Sequence, residues 1–384
     1  MTKSRPCLVK LRIGSTVSVA GLALAAALGA SAPAAAADGR LGFVVRDFFI
    51  SQYNTKYLDE CPSGISMAND EIWWRGMSKE ERAKKTDNGL IQVLDRNGVA
   101  MRRGPKGEDV CLNPEVVTDP PLKIIEGKYS FGANLDGTTD GSATAKTCKH
   151  HKFTGVDGTP AVDNQLYRLV GCTYGWRKGG LIELNANEMR GTSGLGMALI
   201  EITNVDNPRN DDDVAVTFYR SIDQFAMDGK GQPLPFTSYR VEADESGKVS
   251  YGDTLKGKIK NGVLTTERGD VSIPFYGNYN FMHPVIKDFG LQMTIAEDGA
   301  SATGMITGYY NVDEFTYYVG GMAGHASAAD NCPSLWAMSK KLADGYPDLK
   351  TGECTMLSSA FDIQAHAAYV VLPKDHKIVK AAKK

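Results

Sequence analysis

The feature that most constrains the fold is a series of segments, between about residues 165 and 320, in which apolar and polar residues alternate. In TLKGKIKNGVLTTE the apolar positions alternate with lysines, and Asn261-Gly262 provides a two-residue hairpin turn. LQMTIAEDGASATGMITGYY repeats this pattern. Strands at this spacing, each with one polar face, predict a mainly β protein built as an antiparallel β-sandwich or jelly roll. An open barrel of lipocalin type is the alternative.

The segments on either side of this region differ in composition, and we predict four parts. These are a signal peptide (1–37), a mixed N-terminal region (38–130), the β-sandwich core (131–325) and a disulfide-stapled helix with a basic tail (326–384). In the N-terminal region, Ser78 and Glu81 form a capping box that predicts a short helix. In the C-terminal part, Pro333 suits a first helical turn, and apolar residues recur behind it at helical spacing.

The N-terminus has the three parts of a secretory signal peptide. Basic residues precede the apolar run VAGLALAAALGA, the small residues SAPAAAA follow it, and the favoured cleavage site lies after Ala37. The apolar run is shorter than the roughly 20 residues that a membrane-spanning helix needs. We therefore expect a soluble exported protein, periplasmic or secreted, with no membrane span.

Six cysteines remain after removal of the signal peptide: Cys61, Cys111, Cys148, Cys172, Cys332 and Cys354. An even number of cysteines in an oxidising compartment predicts disulfide bonds. The sequence does not choose among the possible pairings, and the simplest one joins neighbours: 61–111, 148–172 and 332–354. The chain contains no CxxC motif, which argues against a cysteine-bound metal or haem.

Net charge excludes one class of partner. The formal charge is −2 at pH 7, so there is no reason to expect a nucleic acid. Hydrophobic residues make up 42% of the chain, enough for a substantial core in one large domain or two.

Three stretches carry a resemblance. GKYSFGANLDG, VDNQLYRLVGC and DLKTGECTMLSSAFDIQAHA are similar to segments of uncharacterised proteins exported by Gram-negative bacteria. This resemblance supports export and implies no particular activity.

The segment from Asn134 to Asn164 is rich in oxygen-bearing side chains and glycines. Its spacing lets a tight loop direct several oxygens at one point, as Ca²⁺ requires. It is not an EF-hand, because Thr147 stands where that loop needs a bidentate glutamate. The alternative is that these residues simply form turns. The predicted calcium ligands, which we expect to converge and to stabilise the loop, are Asp136, Asp140, Asp157, Asp163 and Asn164.

Two further metal hypotheses are weaker. Cys148, His150 and His151 are suitable ligands for Zn²⁺ or copper. However, Cys148 is expected in a disulfide, and adjacent histidines of an extended segment point to opposite sides. The acidic loop NVDNPRNDDD is a second calcium candidate.

No complete catalytic signature is present, so the candidates for chemistry are single residues. His283 and His325 follow aromatic-rich segments near predicted strand ends, where functional sites form, and each is a candidate general base. The tyrosines of these segments are suited to stacking on sugars or other ring-bearing ligands. These features favour a ligand-binding or accessory role, with a small molecule or glycan as the ligand. The alternative is a hydrolase or lyase that acts on a polysaccharide or a similar polymer.

Overall fold

The computed structural model describes residues 39–54, 57–67, 75, 77–87, 90–91, 103–193, 197–277, 280–318 and 331–374. The predicted signal peptide and His325 lie outside the described residues, as does the end of the basic tail.

The described chain is built mainly from strands. In chain order they are β1 (Arg40–Ile50), β2 (Thr86–Asp87), β3 (Leu90–Ile91), β4 (Tyr129–Ser130), β5 (Thr154–Gly155), β6 (Ala198–Thr203), β7 (Asn210–Arg220), β8 (Thr237–Arg240), β9 (Thr254–Lys260), β10 (Val263–Thr266), β11 (Gly269–Ser272), β12 (Phe275–Gly277), β13 (Asn280–Met282), β14 (Val285–Ile295), β15 (Ser301–Asn311), β16 (Gly345–Pro347) and β17 (Cys354–Val371).

Helices are fewer and short. They are α1 (Tyr57–Glu60), α2 (Lys79–Lys85), α3 (Gln165–Val170), α4 (Leu181–Ser193), α5 (Val312–Tyr318) and α6 (Cys332–Leu342), with 3₁₀ turns at Pro114–Val116 and Tyr174–Trp176. Helix α2 begins at the predicted capping box, in which the Ser78 and Glu81 side chains each accept a hydrogen bond from the other residue's amide. Among the described residues, none of these helices is long and apolar enough to cross a membrane.

The main sheet closes into an eight-stranded antiparallel barrel. Its strands follow the order β1, β6, β7, β9, β10, β14, β15 and β17. Strand β1 pairs with both ends of this series, because Phe43 lies opposite Ile200 of β6 on one side and Ala367 of β17 on the other. The prediction of a mainly β, antiparallel fold is confirmed. The expected sandwich or jelly roll is not, since the sheet closes on itself instead of forming two facing sheets.

The hairpins predicted from local sequence are present. Strands β9 and β10 pair antiparallel across Asn261-Gly262. Both turn residues have positive φ, 52° and 77°, as the twist of a two-residue hairpin requires. Strands β14 and β15 form the second hairpin, in which Leu291 and Met293 are buried as expected.

A cluster of buried side chains fills the barrel, and all eight strands contribute to it. Its members include Phe43, Ile200, Phe218, Ile259, Leu264, Leu291, Ile306 and Ile363. The neighbouring residues Val44, Leu199 and Tyr219 belong to a second, smaller cluster together with Phe225 and Tyr239. Alternate residues of one strand thus enter different clusters, which is the period-two alternation expected of a strand covered on both faces.

Two parts of the chain differ from the sequence prediction. Residues 165–193, expected to begin the run of strands, form α3 and α4 instead. Residues 354–371, assigned to the helical C-terminal part, form the longest strand, β17, which closes the barrel. In α3 and in residues 356–361 of β17, burial on nearly every side removes the alternation that would have identified the element.

The neighbour pairing of the cysteines is wrong. The bonds are Cys61–Cys172, Cys111–Cys332 and Cys148–Cys354. They tie the loops and helices between residues 61 and 172 to one another, to α6 and to the start of β17. Cys332 begins α6 and Cys354 follows it, but the two are bonded to Cys111 and Cys148 and not to each other. Three disulfide bonds are typical of proteins that fold in an oxidising compartment.

Candidate functional site

The five predicted calcium ligands occupy two kinds of position. Asp140 and Asp157 are exposed, and each accepts hydrogen bonds from the residue two positions later, Ser142 or Thr159. These bonds from the backbone amides, followed by those from the side chains, lower the pKa of both carboxyls below the usual value. Asp140 and Asp157 therefore have the role of ordinary turn residues.

Asn164 is buried and caps a helix. Its side-chain oxygen accepts a hydrogen bond from the Tyr167 amide at the start of α3. Its side-chain nitrogen donates to the carbonyl oxygens of Ser51 and Phe131 and to the Ser130 hydroxyl. These contacts use both ends of the amide, so Asn164 has a structural function here.

Asp136 and Asp163 do converge, and Lys152 lies between them. The Lys152 ammonium is 2.5 Å from Asp136 Oδ1 and 2.6 Å from Asp163 Oδ1. The side chains of both aspartates are fully buried, and that of Lys152 is 7% exposed. Burial opposes ionisation of Asp136, but hydrogen bonds from Lys152 and Thr138 outweigh it and hold its pKa below the usual value. Lys152 thus supplies a positive charge at the point where the sequence suggested Ca²⁺.

His150 belongs to the same group. Its Nε2 is 2.8 Å from Asp163 Oδ1 and 3.6 Å from Asp136 Oδ2, and its Nδ1 is 2.7 Å from the Cys148 carbonyl oxygen. Burial lowers the affinity of the ring for a proton, but the Asp163 hydrogen bond and the nearby Asp344 charge outweigh this and raise its pKa. His151 is exposed, as expected for the neighbour of an inward-facing residue in an extended segment.

Asp344, between α6 and β16, completes the cluster. The backbone places it there, because the Cys148 amide donates to the Asp344 carbonyl oxygen and the following residue, Gly345, forms a bridge with Thr147. Its Oδ1 accepts a hydrogen bond from the Ser358 amide at 2.7 Å, and its Oδ2 lies 3.9 Å from His150 Nε2. Burial raises the pKa of Asp344 to about 7, although His150 and Ser358 act in the opposite direction.

Two atoms of this region have no hydrogen-bond partner among the described residues. They are Asp344 Oδ2 and the Tyr309 hydroxyl oxygen, and both are buried. Burial, and then the charges of Asp344, Asp163 and Asp136, raise the pKa of Tyr309, so its hydroxyl keeps its proton. A buried polar atom without a partner costs about 1–3 kcal/mol, so a bound group that contacted these two atoms would relieve that cost.

We refer to Asp136, His150, Lys152, Asp163 and Asp344 as the charged cluster. The charged cluster depends on close packing between two parts of its loop, at Gly141 and at His150. Gly141 has a positive φ of 71°, and a Cβ atom there would lie 2.0 Å from the His150 carbonyl oxygen. Only glycine allows this approach, which brings the segment after Asp136 against the one that carries His150.

The charged cluster contains a group with metal-binding geometry. Single ligand atoms of Asp136, His150 and Asp163 all lie within 4.8 Å of one another. Carboxylate oxygens and an imidazole nitrogen are ligands for Zn²⁺ and related ions, whereas Ca²⁺ binds oxygen alone. Of the calcium ligands predicted from the sequence, only Asp136 and Asp163 belong to this group. Calcium binding by the full predicted set stays a prediction.

An apolar cavity lies at one end of the barrel. Its volume is about 40 Å³, and aliphatic, proline or aromatic side chains line it: Phe48, Phe49, Ile50, Leu166, Trp176, Ile273, Pro284, Ile286, Tyr310, Phe315 and Phe361. The rings are packed against each other, with centroids 4.9 Å apart for Phe48 and Phe361 and 5.8 Å apart for Trp176 and Phe315. Tyr310 and Phe315 belong to the aromatic-rich segment that the sequence suggested for ligand binding.

The cavity and the charged cluster lie at the same end of the barrel. The charges of Asp344, Asp163 and Asp136 raise the pKa of Tyr309, so Tyr309 lies near the cluster. The next residue of β15, Tyr310, lines the cavity. At the start of α3, the cavity residue Leu166 follows the cluster residue Asp163 by three positions. Helix α3 therefore contributes Leu166 to the cavity and begins two residues after Asp163 of the charged cluster.

Of the two candidate general bases, only His283 is within the described residues. It is exposed, and its ring stacks on Tyr251 with centroids 5.6 Å apart. Its Nδ1 also contacts the Tyr251 hydroxyl. A catalytic role for His283 or His325 stays a prediction.

Sequence reasoning missed Lys152, Asp344 and Tyr309. One signal was available for Lys152, since residues two apart in an extended segment face the same side and Lys152 follows His150 at that spacing. No local signal connects Asp344 or Tyr309 to this loop. Comparison with known proteins identifies no relative: none of the protein-family models, curated proteins or solved structures matches the chain.

Proposed function

We propose that this protein is an exported binding protein that holds an apolar ligand, or the apolar part of a larger one, at the covered end of its barrel. The observation that carries the proposal is the cavity lined only by aliphatic, proline and aromatic residues. Ligand sites are commonly found at the mouths of β-barrels, with apolar walls and a few polar groups nearby.

The size and lining of the cavity indicate the class of ligand. A volume of about 40 Å³ suits a short alkyl group, since a cavity that holds a benzene ring is several times larger, at about 150 Å³. A sugar would leave its hydroxyl groups without partners against these side chains, at a cost of about 1–3 kcal/mol for each group. Apolar contact with the walls contributes roughly 25 cal/mol per Å² of buried surface. These energies favour an apolar ligand over a glycan.

Export is part of the same proposal. The signal peptide read from residues 1–37 and the three disulfide bonds support a location outside the cytoplasm, in the periplasm or beyond the cell. A binding protein there would carry or sequester a poorly soluble compound.

The test is a calorimetric titration with a panel of small aromatic compounds and alkanoic acids of increasing length. Ile273→Phe adds volume inside the cavity, whereas Ile222→Phe makes the same change at a residue that is 52% exposed. We expect the best panel member to bind wild type and Ile222→Phe equally, and to bind Ile273→Phe at least about tenfold more weakly, a loss of about 1.4 kcal/mol. Ile286→Phe provides a second variant of the same kind if Ile273→Phe does not fold.

Two results would contradict the proposal. One is that no panel member binds wild type. The other is that the folded cavity variants bind as tightly as Ile222→Phe, which would place the ligand elsewhere.

A further inference from the structure

We infer that Asp136, His150, Asp163 and Asp344 form a binding site for a single divalent transition-metal ion, with Zn²⁺ as the representative. This site is separate from the apolar cavity, and it differs from the predicted calcium set in ion and in ligands.

The spacing of the candidate ligand atoms fits such an ion. Zn²⁺ bound at about 2.0–2.2 Å places neighbouring ligand atoms of a tetrahedron roughly 3.3–3.6 Å apart. The distances from His150 Nε2 are 2.8 Å to Asp163 Oδ1, 3.6 Å to Asp136 Oδ2 and 3.9 Å to Asp344 Oδ2. For Asp136 and Asp163 these values lie close to the tetrahedral edge. Asp344 is not in the group whose ligand atoms are all within 4.8 Å of one another, so its side chain would have to approach the ion.

The imidazole is oriented as in metal sites. A carbonyl oxygen can only accept, so Nδ1, which is 2.7 Å from the Cys148 carbonyl oxygen, must carry a hydrogen. Nε2 is then the nitrogen that faces the carboxylates. Without a metal it donates a hydrogen bond to Asp163, and on metal binding it would give up that proton and offer its lone pair to the ion. Metal-bound histidines characteristically donate a hydrogen bond from their other ring N–H to a backbone carbonyl or a carboxylate in this way.

Asp344 gives an independent indication of a missing ligand. Its side chain is fully buried, and Oδ2 has no hydrogen-bond partner among the described residues. The Ser358 amide fixes the other oxygen, Oδ1, so that Oδ2 is the atom directed at His150. A metal ion would use the free oxygen and relieve the cost of leaving it buried and unpaired.

Lys152 is compatible with this ion as a positioning residue. It contacts Asp136 through Oδ1 and Asp163 through both oxygens, at 2.6 Å and 2.8 Å. Asp136 Oδ2 is therefore left for the metal, and Asp163 Oδ1 would be shared between the metal and the ammonium. The charges also balance, because three carboxylates are matched by one divalent ion and one ammonium when the imidazole is neutral. A buried group with zero net charge avoids the large cost of an uncompensated charge in the interior.

The donor set selects the class of ion. An imidazole nitrogen suits zinc, iron, nickel and copper, whereas Ca²⁺ and Mg²⁺ bind oxygen ligands. Calcium in excess is therefore expected not to displace Zn²⁺ from this site.

The experiment is a titration of chelator-treated protein with Zn²⁺, followed by calorimetry, on wild type and on two adjacent histidine variants. His150 is inside the charged cluster and His151 is exposed beside it, so His151→Ala is the matched control for His150→Ala. We expect wild type and His151→Ala to bind one equivalent with the same affinity, and His150→Ala to bind more than about 100-fold more weakly. If His150→Ala does not fold, Asp344→Asn takes its place, because an amide oxygen still accepts from Ser358. It should bind at least about tenfold more weakly.

The inference is overturned if wild type binds no Zn²⁺, or if the folded cluster variants bind it as tightly as His151→Ala. Its outcome is independent of the titrations with apolar ligands, which concern the separate cavity.

Discussion

Replacing Lys152 with methionine tests whether the charged cluster is excluded from water. Methionine keeps most of the apolar stem of lysine but removes the ammonium that contacts Asp136 and Asp163. Both carboxylates are fully buried and lie 2.5 Å and 2.6 Å from the ammonium. Removing one partner of a buried ion pair typically costs 3–5 kcal/mol, since a charge is left without compensation. We expect Lys152→Met to lower the free energy of unfolding by about this amount.

The control is a lysine of the same region that pairs on the surface. Lys146 is 67% exposed and lies 3.5 Å from Asp288. Exposed pairs are worth about 0–1 kcal/mol, so Lys146→Met should change the stability by no more than this. The assay is urea denaturation of the two variants and wild type at neutral pH, with a chelator present so that metal binding does not contribute.

A second variant separates the charge from the packing. In the double variant Asp136→Asn, Lys152→Met, one of the two carboxylates that lost the ammonium is also neutralised, and we expect it to be more stable than Lys152→Met by about 1 kcal/mol or more. The reasoning is refuted if Lys152→Met costs no more than Lys146→Met, because the cluster would then be solvated.

Three further predictions concern other parts of the chain. Gly141→Ala should lower the free energy of unfolding, measured in urea, by about 2 kcal/mol or more, because its Cβ would meet the His150 carbonyl oxygen. Gly137→Ala is the control, because a Cβ there meets open space, and equal losses for the two variants would contradict the prediction. Burial lowers the pKa of His366, so stability should fall as pH drops below about 6.5; a wild-type slope in His366→Asn would contradict this. If calcium binds the sequence-predicted set, the melting temperature should be higher in calcium than in EGTA; equal midpoints would refute that prediction.

Local sequence signals predicted the elements that form from adjacent residues. The capping box of α2 and the turn at Asn261-Gly262 each depend on only a few residues, so their geometry is visible in the sequence. Closure of the barrel depends instead on β17 lying against β1, where Phe43 faces Ala367 across more than 300 residues of chain. The segment CTMLSSAFDIQAHAAYVV is rich in alanine and serine, which are not strand-favouring residues. Its residues 356–361 are buried on both faces, so clear alternation of buried and exposed positions begins only at residue 361.

The charged cluster could be predicted only in part for the same reason. Asp136, His150 and Asp163 lie within one oxygen-rich segment, and their types were recognisable as metal ligands. Asp344 reaches His150 because the chain after α6 pairs with residues 147 and 148, which is a consequence of the tertiary fold. The disulfide bonds followed the same topology, joining segments that are adjacent in space and distant in sequence.

The central claim is that an apolar ligand occupies the cavity at the end of the barrel, and nuclear Overhauser effects between ligand and protein test it most directly. The ligand should be the panel member that binds best, and the protein should be labelled in its isoleucine methyl and aromatic groups. We expect cross-peaks from the ligand to Ile273, Ile286 and Trp176, which line the cavity. Cross-peaks confined to exposed apolar residues such as Tyr369 and Val371 would contradict the account, because the ligand would then lie on the surface of the barrel.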